Sequence, residues 1–364
     1  VLNGNRTVSV SATTLTVGGD IGDGGNGYSL TKSGAGTLVL SGANTYAGGT
    51  TISAGVLALG NSDRLANTGA LAVNGATFAL GAFNETVGAV SLTSGNITGS
   101  GGTLTGSAYA VQSGTISANL GGTGTLTKTT SGTVTLTGVN TYTGTTTISE
   151  GTLQLGNGVT TGSLASDVIW ISPGTSLVVN PSSEVALTSL LSGTGSLIKN
   201  GSGTLVINRD SSWDFSSANS YTGPVILNQG TLTVNHAYGL GASAYGNLTV
   251  NGGTLNVNAQ ISIGSLNGTG GAINIGNGQT LSLVKDDHNT FAGSLTGGGG
   301  FAIFNDGSNG TSAVEMTFNG VNSQTGTTTT YGWRSITLAA GATRSGPTAA
   351  LALGARATVN FNSA

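Results

Sequence analysis

The chain has 364 residues, of which 65 are glycine, four are proline and none is cysteine. Charged residues make up 6% and hydrophobic residues 37%, which excludes an intrinsically disordered chain, and the glycines lack the three-residue period of collagen. The net charge is −3 with basic residues scattered singly, so neither a nucleic-acid surface nor a membrane span is predicted.

The first motif along the chain is an acidic, glycine-rich segment at residues 18–26, which reads Gly-Gly-Asp-Ile-Gly-Asp-Gly-Gly-Asn. Repeated Asp and Gly can wrap oxygen ligands around Ca²⁺, as in calcium-binding nonapeptide repeats. Here the segment occurs once and lacks the spacing of those repeats. We therefore expect a turn and predict no metal site.

A longer pattern follows three times, starting at Leu30, Leu126 and Leu197. Each copy contains Leu-x-Lys, an alternating apolar strand, an Asn-x-Tyr-x-Gly corner and two more short strands. The third copy carries an eight-residue insertion, and a degenerate copy near residue 301 has Gln324 where the others have Tyr. An internal repeat of short strands and glycine-rich turns predicts one supersecondary unit stacked on itself.

Within each copy, apolar residues alternate with Thr, Ser or Val, which is the pattern of strands with one buried face. Leu38 and Leu40, with their counterparts, are predicted core residues, and the corner glycines are predicted to adopt positive φ angles. The recurring Asn is expected to satisfy backbone groups at a corner. The recurring lysines Lys32, Lys128 and Lys199 are expected to face solvent and to discourage lateral strand pairing.

Matching turn chemistry at matching places favours a parallel β-solenoid over a sandwich of hairpins. The sequence therefore predicts an all-β, right-handed parallel β-helix that forms a single elongated rod. We expect one continuous solenoid over residues 1–364, with repeats starting near 30, 126, 197 and 301.

The segments from Gly34 to Gly60 and from Ser131 to Gly156 share Gly-Thr-x-x-Leu-x-Gly-x-Asn-Thr-Tyr-x-Gly and the strands that follow it. This pattern resembles the autotransporter-associated β-strand repeat, also called the passenger-associated transport repeat. The resemblance implies a secreted right-handed β-helix displayed at the bacterial surface, often as a stalk or an adhesive fibre. It carries no catalytic residues.

Two clusters are candidate sites of chemistry. Asp286, Asp287 and His288 would serve a polysaccharide lyase or hydrolase built on a β-helix, although Asp residues are also expected in a solvated loop. The insertion in the third copy groups aromatic and charged side chains that either form a platform for a sugar or partner, or fold over the core. Its residues are Arg209, Asp210, Trp213, Asp214 and Phe215.

The chain begins and ends with alternating strands near Arg6–Val10 and Ala357–Phe361, and no polar capping helix is predicted. Either the chain is a piece of a longer protein or copies pair end to end into filaments. The predicted function is a non-enzymatic extracellular fibre, stalk or adhesin without a cofactor, and a carbohydrate-active enzyme is the alternative. Expected partners are further copies of the chain and a surface glycan or host cell surface, without nucleic acid or membrane insertion.

Overall fold

The structure is a computed structural model that describes residues 1–209, 220–241, 246–284, 288–304, 314–318, 322–330, 334–338, 351–353 and 358–361. Within these ranges the regular secondary structure consists of strands, with no helix. The chain divides into two units, Val1–Thr175 and Ser176–Ala364.

The first unit is wound from short strands that pair in parallel with the coils before and after them. Sheet I contains Arg6–Ser9, Leu30–Ser33, Thr50–Ile52, Ala108–Val111, Thr125–Lys128, Thr146–Ile148 and Val168–Ile171. Sheet II contains Thr14–Val17, Thr37–Leu40, Val56–Leu59, Gly114–Ile116, Thr133–Leu136 and Thr152–Leu155. The long strands Leu71–Gly81 and Ala89–Gly99 run through both sheets. The third side, sheet III, contains Glu85–Thr86, Thr103–Thr105, Asn119–Gly121, Val139–Asn140 and Ser163–Leu164.

The second unit repeats this arrangement. Sheet IV contains Ser176–Val179, Ser196–Lys199, Val225–Leu227, Asn247–Val250 and Ser265–Asn267. A further ladder contains His288–Phe291, Val314–Phe318, Arg334–Leu338 and Thr358–Phe361. Sheet V contains Val185–Leu187, Thr204–Ile207, Thr231–Val234, Thr254–Val257, Ala272–Ile275 and Ser294–Gly297. Sheet VI contains Ile261–Ile263, Thr280–Leu283, Gly300–Ile303, Thr328–Thr330 and Leu351–Leu353, and Leu190–Gly193 is also a strand.

The core of each unit is a stack of aliphatic side chains in register. In the first repeat Leu38 pairs with Leu57 and Leu40 with Leu59, so each buried side chain covers its counterpart in the next coil. This register follows from the period-2 alternation, since every second residue points inward and a one-residue slip would expose the whole row. The predicted parallel β-solenoid and the predicted core leucines are confirmed. That one solenoid runs continuously over 1–364 remains a prediction.

Some corner glycines adopt positive φ angles, as the sequence predicted, and others allow successive coils to pass close to each other. Gly55, Gly151 and Gly230 have φ angles of 64°, 65° and 70°, as expected. The prediction of positive φ was wrong for five corner glycines, Gly42, Gly48, Gly138, Gly144 and Gly223, whose φ angles are not positive. A Cβ atom at Gly48 or Gly144, for example, would overlap a backbone carbonyl of the preceding coil, at Gly27 and Gly124 respectively. These glycines are therefore required by the close passage of successive coils.

Candidate functional site

The predicted interaction residues in the insertion are mostly outside the described residues. The Arg209 guanidinium donates a hydrogen bond from Nη1 to the Thr188 carbonyl at 3.1 Å. Asp210, Trp213, Asp214 and Phe215 lie outside the described residues, as do Asp286 and Asp287 of the acidic cluster. Both clusters therefore remain predictions, and the described side chains of the repeats define the chemistry that follows.

The repeat lysines are buried, so the expectation that they face solvent was wrong. Lys32, Lys128 and Lys199 each have 0% exposure. The Nζ atom of Lys128 donates to the carbonyls of Thr129, Thr130 and Glu150 at 2.8, 2.7 and 3.1 Å. The other two lysines repeat this pattern, with two acceptors just after the lysine and a third in the next coil. Each ammonium group thus joins a turn to the coil that follows it.

Burial opposes the charge on these amines. Desolvation lowers the pKa of Lys32 and Lys128 below the ordinary value, and it lowers the pKa of Lys199 to about 8. Three carbonyl oxygens favour the ammonium form, because a neutral amine has only two N–H donors for three acceptors. The arrangement uses every donor of the lysine in a structural contact.

The recurring asparagines hydrogen-bond to backbone groups, as the sequence predicted, and in doing so they connect neighbouring coils. The Asn44 Oδ1 atom accepts the N–H of Ile21 at 2.8 Å, and its Nδ2 donates to the Arg64 carbonyl at 2.6 Å. Asn140 likewise accepts the N–H of Leu120 at 3.0 Å and donates to the Ser163 carbonyl at 2.8 Å. Each amide therefore bridges the coil before it and the coil after it. Asn219, the third member, lies outside the described residues.

Two further residues, missed from the sequence, make the contact with the preceding coil. The carboxylate of buried Glu85 accepts the N–H of Leu65 at 3.1 Å and of Arg64 at 2.7 Å. The Asn289 Oδ1 atom accepts the N–H of Leu266 at 2.8 Å. A signal for Asn289 exists, since Asn-Thr-Phe-Ala-Gly at 289–293 differs from Asn-Thr-Tyr-Ala-Gly at 44–48 only in its aromatic residue. Burial raises the pKa of Glu85 to about 7.

The residue two positions after each asparagine fills the interior of the corner. Tyr46 and Tyr142 have 1% and 0% exposure, and their hydroxyls share hydrogen bonds of 2.6 and 2.7 Å with the hydroxyls of Thr50 and Thr146. In the degenerate copy, Gln324 Nε2 donates to Thr328 Oγ1 at 2.6 Å. The amide therefore replaces the phenol without loss of the contact four residues ahead.

The third copy has valine at the position of those threonines, and its tyrosine contacts backbone groups instead. The Tyr221 hydroxyl accepts the N–H of Leu197 at 2.9 Å and lies 2.7 Å from the carbonyls of both Gly195 and Pro224. Desolvation raises the pKa of Tyr221, as it does for Tyr142, so both phenols stay protonated.

The acidic segment at 18–26 is used for turns. The Asp23 carboxylate accepts the N–H groups of Gly25, Tyr28 and Ala47 at 2.9, 3.0 and 3.1 Å. These hydrogen bonds, the one from Ala47 first, lower the pKa of Asp23. Asp20 accepts the N–H of Ala43 at 2.7 Å. Across the described residues, no group of three or more His, Asp or Glu side chains is placed to hold a metal ion.

The surface of the second unit carries ladders of asparagine that the sequence analysis did not identify. Asn228 donates to Asn200 and Asn251 donates to Asn228, both at 2.9 Å. A second ladder follows Asn208, Asn235 and Asn258 at the other end of the sheet V strands. Stacked amides of this kind add hydrogen bonds between coils beyond those of the backbone.

A groove of about 840 Å³ crosses the outer face of sheet VI in the second unit. Its floor is a row of small side chains in register, Ser262, Ser282, Ala302 and Thr329. Its lining also includes Tyr238, Phe304, Gln260 and Gln279, and none of the described lining residues is charged. A volume of this size lies in the range of ligand-binding pockets.

Comparison with known proteins agrees with the repeated β-solenoid coils. The family described as passenger-associated-transport-repeat matches residues 30–59, 126–155 and 197–234. The chain is 42% identical over 125 residues to the adhesin BmaC autotransporter of Brucella suis biovar 1 (strain 1330). This match covers 32% of the chain and 4% of that protein, so the chain spans a small part of its relative. No solved structure matches the chain.

The matched segments coincide with the repeats in which Lys32, Lys128 and Lys199 join successive coils. Within the ranges that the structure describes, no helix is long and apolar enough to cross a membrane. The resemblance stated from the sequence is confirmed. Residues 30–59, 126–155 and 197–234 match the passenger-associated transport repeat family, and a stretch of 125 residues is similar to an autotransporter adhesin.

Proposed function

We propose that this chain is a non-enzymatic, cell-surface β-solenoid that acts in adhesion. The observation that carries the proposal is the use of the polar residues in the matched repeats. Lys128, Asn140 and Tyr142 are buried, and each is hydrogen-bonded within its own or an adjacent coil. Side chains engaged in this way support a scaffold and are not available as acids, bases or nucleophiles.

The adhesive role rests on the relative, which is named an adhesin and an autotransporter. The family of its repeats supports a secreted or surface-displayed location. A stacked solenoid suits that role because each coil adds exposed surface while being stabilised by its neighbours.

The experiment is display of the chain on a non-adherent bacterium, with attachment measured on mammalian cells and on immobilised glycans. Cells displaying an unrelated β-solenoid at the same density are the control. We expect more attachment than in the control. Equal attachment on every surface would contradict the adhesive function.

The absence of catalysis is tested separately with a panel of polysaccharides. We expect no release of reducing sugar from any of them. Release that is abolished by Asp286→Asn or Asp287→Asn would replace the proposal with the carbohydrate-active alternative.

The insertion is proposed as one contact surface of the adhesin, since aromatic and arginine side chains are enriched where proteins bind partners. Replacing Trp213 and Phe215 with alanine is expected to weaken attachment of the displaying cells. Unchanged attachment at equal display would remove the insertion from the proposal.

End-to-end self-association is a further part of the proposal. Electron micrographs of the purified chain are expected to show thin filaments whose length increases with protein concentration. Particles of one short length at every concentration would contradict it.

A further inference from the structure

We infer that the groove on sheet VI binds a neutral oligosaccharide. This inference rests on the proposed adhesive function for its biological role, and it assigns that function a site and a class of ligand. The described residues that line the groove all belong to the second unit.

The first argument concerns charge. Among the described residues that line it there is no Asp, Glu, Lys, Arg or His side chain. An anionic sugar or a nucleic acid bound here would lose hydration without gaining an ionic partner, which is unfavourable. An uncharged ligand meets no such cost.

The second argument concerns hydrogen bonding. Gln260 and Gln279 offer amide groups that both donate and accept, and Ser262 and Ser282 offer hydroxyls with the same capacity. Sugar hydroxyls also donate and accept, so they match a surface of amides and hydroxyls better than an apolar ligand does. The rings of Tyr238 and Phe304 add apolar surface for the C–H faces of a sugar ring.

The third argument concerns shape. The floor residues Ser282, Ala302 and Thr329 come from successive strands, so the groove runs across the strands from coil to coil. The lining spans five coils, from Tyr238 to Thr329, which at about 4.8 Å per coil is roughly 19 Å. This length suits a linear chain of several sugars, and the small floor residues let the chain approach the sheet closely.

A bound peptide is a poorer match for this groove. The floor strands already pair with each other through their backbone groups, in the register Ser262 to Ser282 to Ala302 to Thr329. A peptide that bound by strand addition would need a free strand edge, and the groove presents a sheet face.

The test uses the purified chain on an array of neutral and acidic oligosaccharides, followed by calorimetric titration with the best neutral ligand. Ser262→Trp places a large side chain on the groove floor without touching the core, because Ser262 is an exposed residue between two buried ones. The matched control is Thr249→Trp, which is also outward-facing on a strand of the same coil but lies outside the groove. Circular dichroism verifies that both variants are folded.

We expect a neutral oligosaccharide to bind, Ser262→Trp to weaken it by about tenfold or more, and Thr249→Trp to leave it unchanged. Gln260→Ala, a milder change, is expected to weaken binding by about threefold to tenfold. The inference is overturned by no binding of any neutral glycan, by preference for acidic ones, or by equal effects of the two tryptophan variants. Attachment of displaying cells that persists with Ser262→Trp and resists competing neutral glycan would overturn this inference alone and leave the adhesive function in place.

Discussion

Tyr142 and Thr146 lie four residues apart and share a hydrogen bond of 2.7 Å between their hydroxyls, inside a corner with no access to water. The same relationship recurs between Tyr46 and Thr50. It persists with different chemistry between Gln324 and Thr328, whereas the third copy has Val225 at this spacing and its tyrosine contacts backbone groups.

The first prediction compares two phenols. Tyr142→Phe should lower the free energy of unfolding by about 1 kcal/mol, because it removes one hydrogen bond to a side chain. Tyr221→Phe should cost more, about 2 kcal/mol, because its buried hydroxyl contacts the N–H of Leu197 and the carbonyls of Gly195 and Pro224. Thermal unfolding of both variants checks this order. A larger loss for Tyr142→Phe would contradict it.

The second prediction concerns the buried ammonium groups. Lys128→Met keeps the length of the side chain but leaves the carbonyls of Thr129, Thr130 and Glu150 without this donor. We expect a loss of about 2 to 4 kcal/mol in chemical denaturation. Thr127→Met, an outward change in the same strand, should stay within about 0.5 kcal/mol. Similar losses for the two variants would show that the ammonium is dispensable.

The third prediction is a pH dependence from Glu85, whose pKa of about 7 lies above the ordinary value of 4.5. Between these values the folded chain holds more protons than the unfolded chain, so stability falls as pH rises from about 5 to 8. Asp23, with a lowered pKa, acts in the opposite direction and only in more acidic solution. The midpoint of thermal unfolding should therefore decline across this window.

The control for this dependence is Glu85→Gln, which has no titrating group. Its unfolding midpoint should change less between pH 5 and pH 8 than that of the parent chain. If the two profiles run parallel, Glu85 is not the source of the dependence.

The fourth prediction concerns the close passage of coils. Gly144→Ala would place a methyl group on the backbone of Gly124, so we expect a loss of about 2 kcal/mol or more. A Cβ atom at Gly19 would have no atom within 4 Å, so Gly19→Ala should be within about 0.5 kcal/mol of the parent. Equal unfolding midpoints for the two variants would contradict the proposed role of the corner glycines.

The fold was accessible from the sequence because alternation and repetition are local signals. Leu38 and Leu40 alternate with polar or half-buried residues, and the same strand recurs in each copy. The prediction of a solvent-facing lysine was wrong because it followed from the charge of the side chain and not from its position in the alternating pattern. Lys32 follows Leu30 by two residues, so alternation itself places it inside with Leu30.

The groove could not be predicted in this way. Ser262, Ser282, Ala302 and Thr329 come from four coils with intervals of 20, 20 and 27 residues. Their alignment depends on the lengths of the irregular turns between strands, which no local pattern reports. Glu85 was missed for a related reason, since its carboxylate takes the place of an amide in a coil without the Asn-x-Tyr corner.

The parallel register allows folding to proceed one coil at a time. Leu38 meets Leu57, and Val134 meets Leu153, across 19 residues in both cases. The first pair of coils must order this whole length before any interface forms, whereas each later coil docks on a surface that is already complete. A chain that emerges from a pore one end first can therefore fold coil by coil as it emerges. The free energy gained as each coil docks opposes movement of the chain back into the pore.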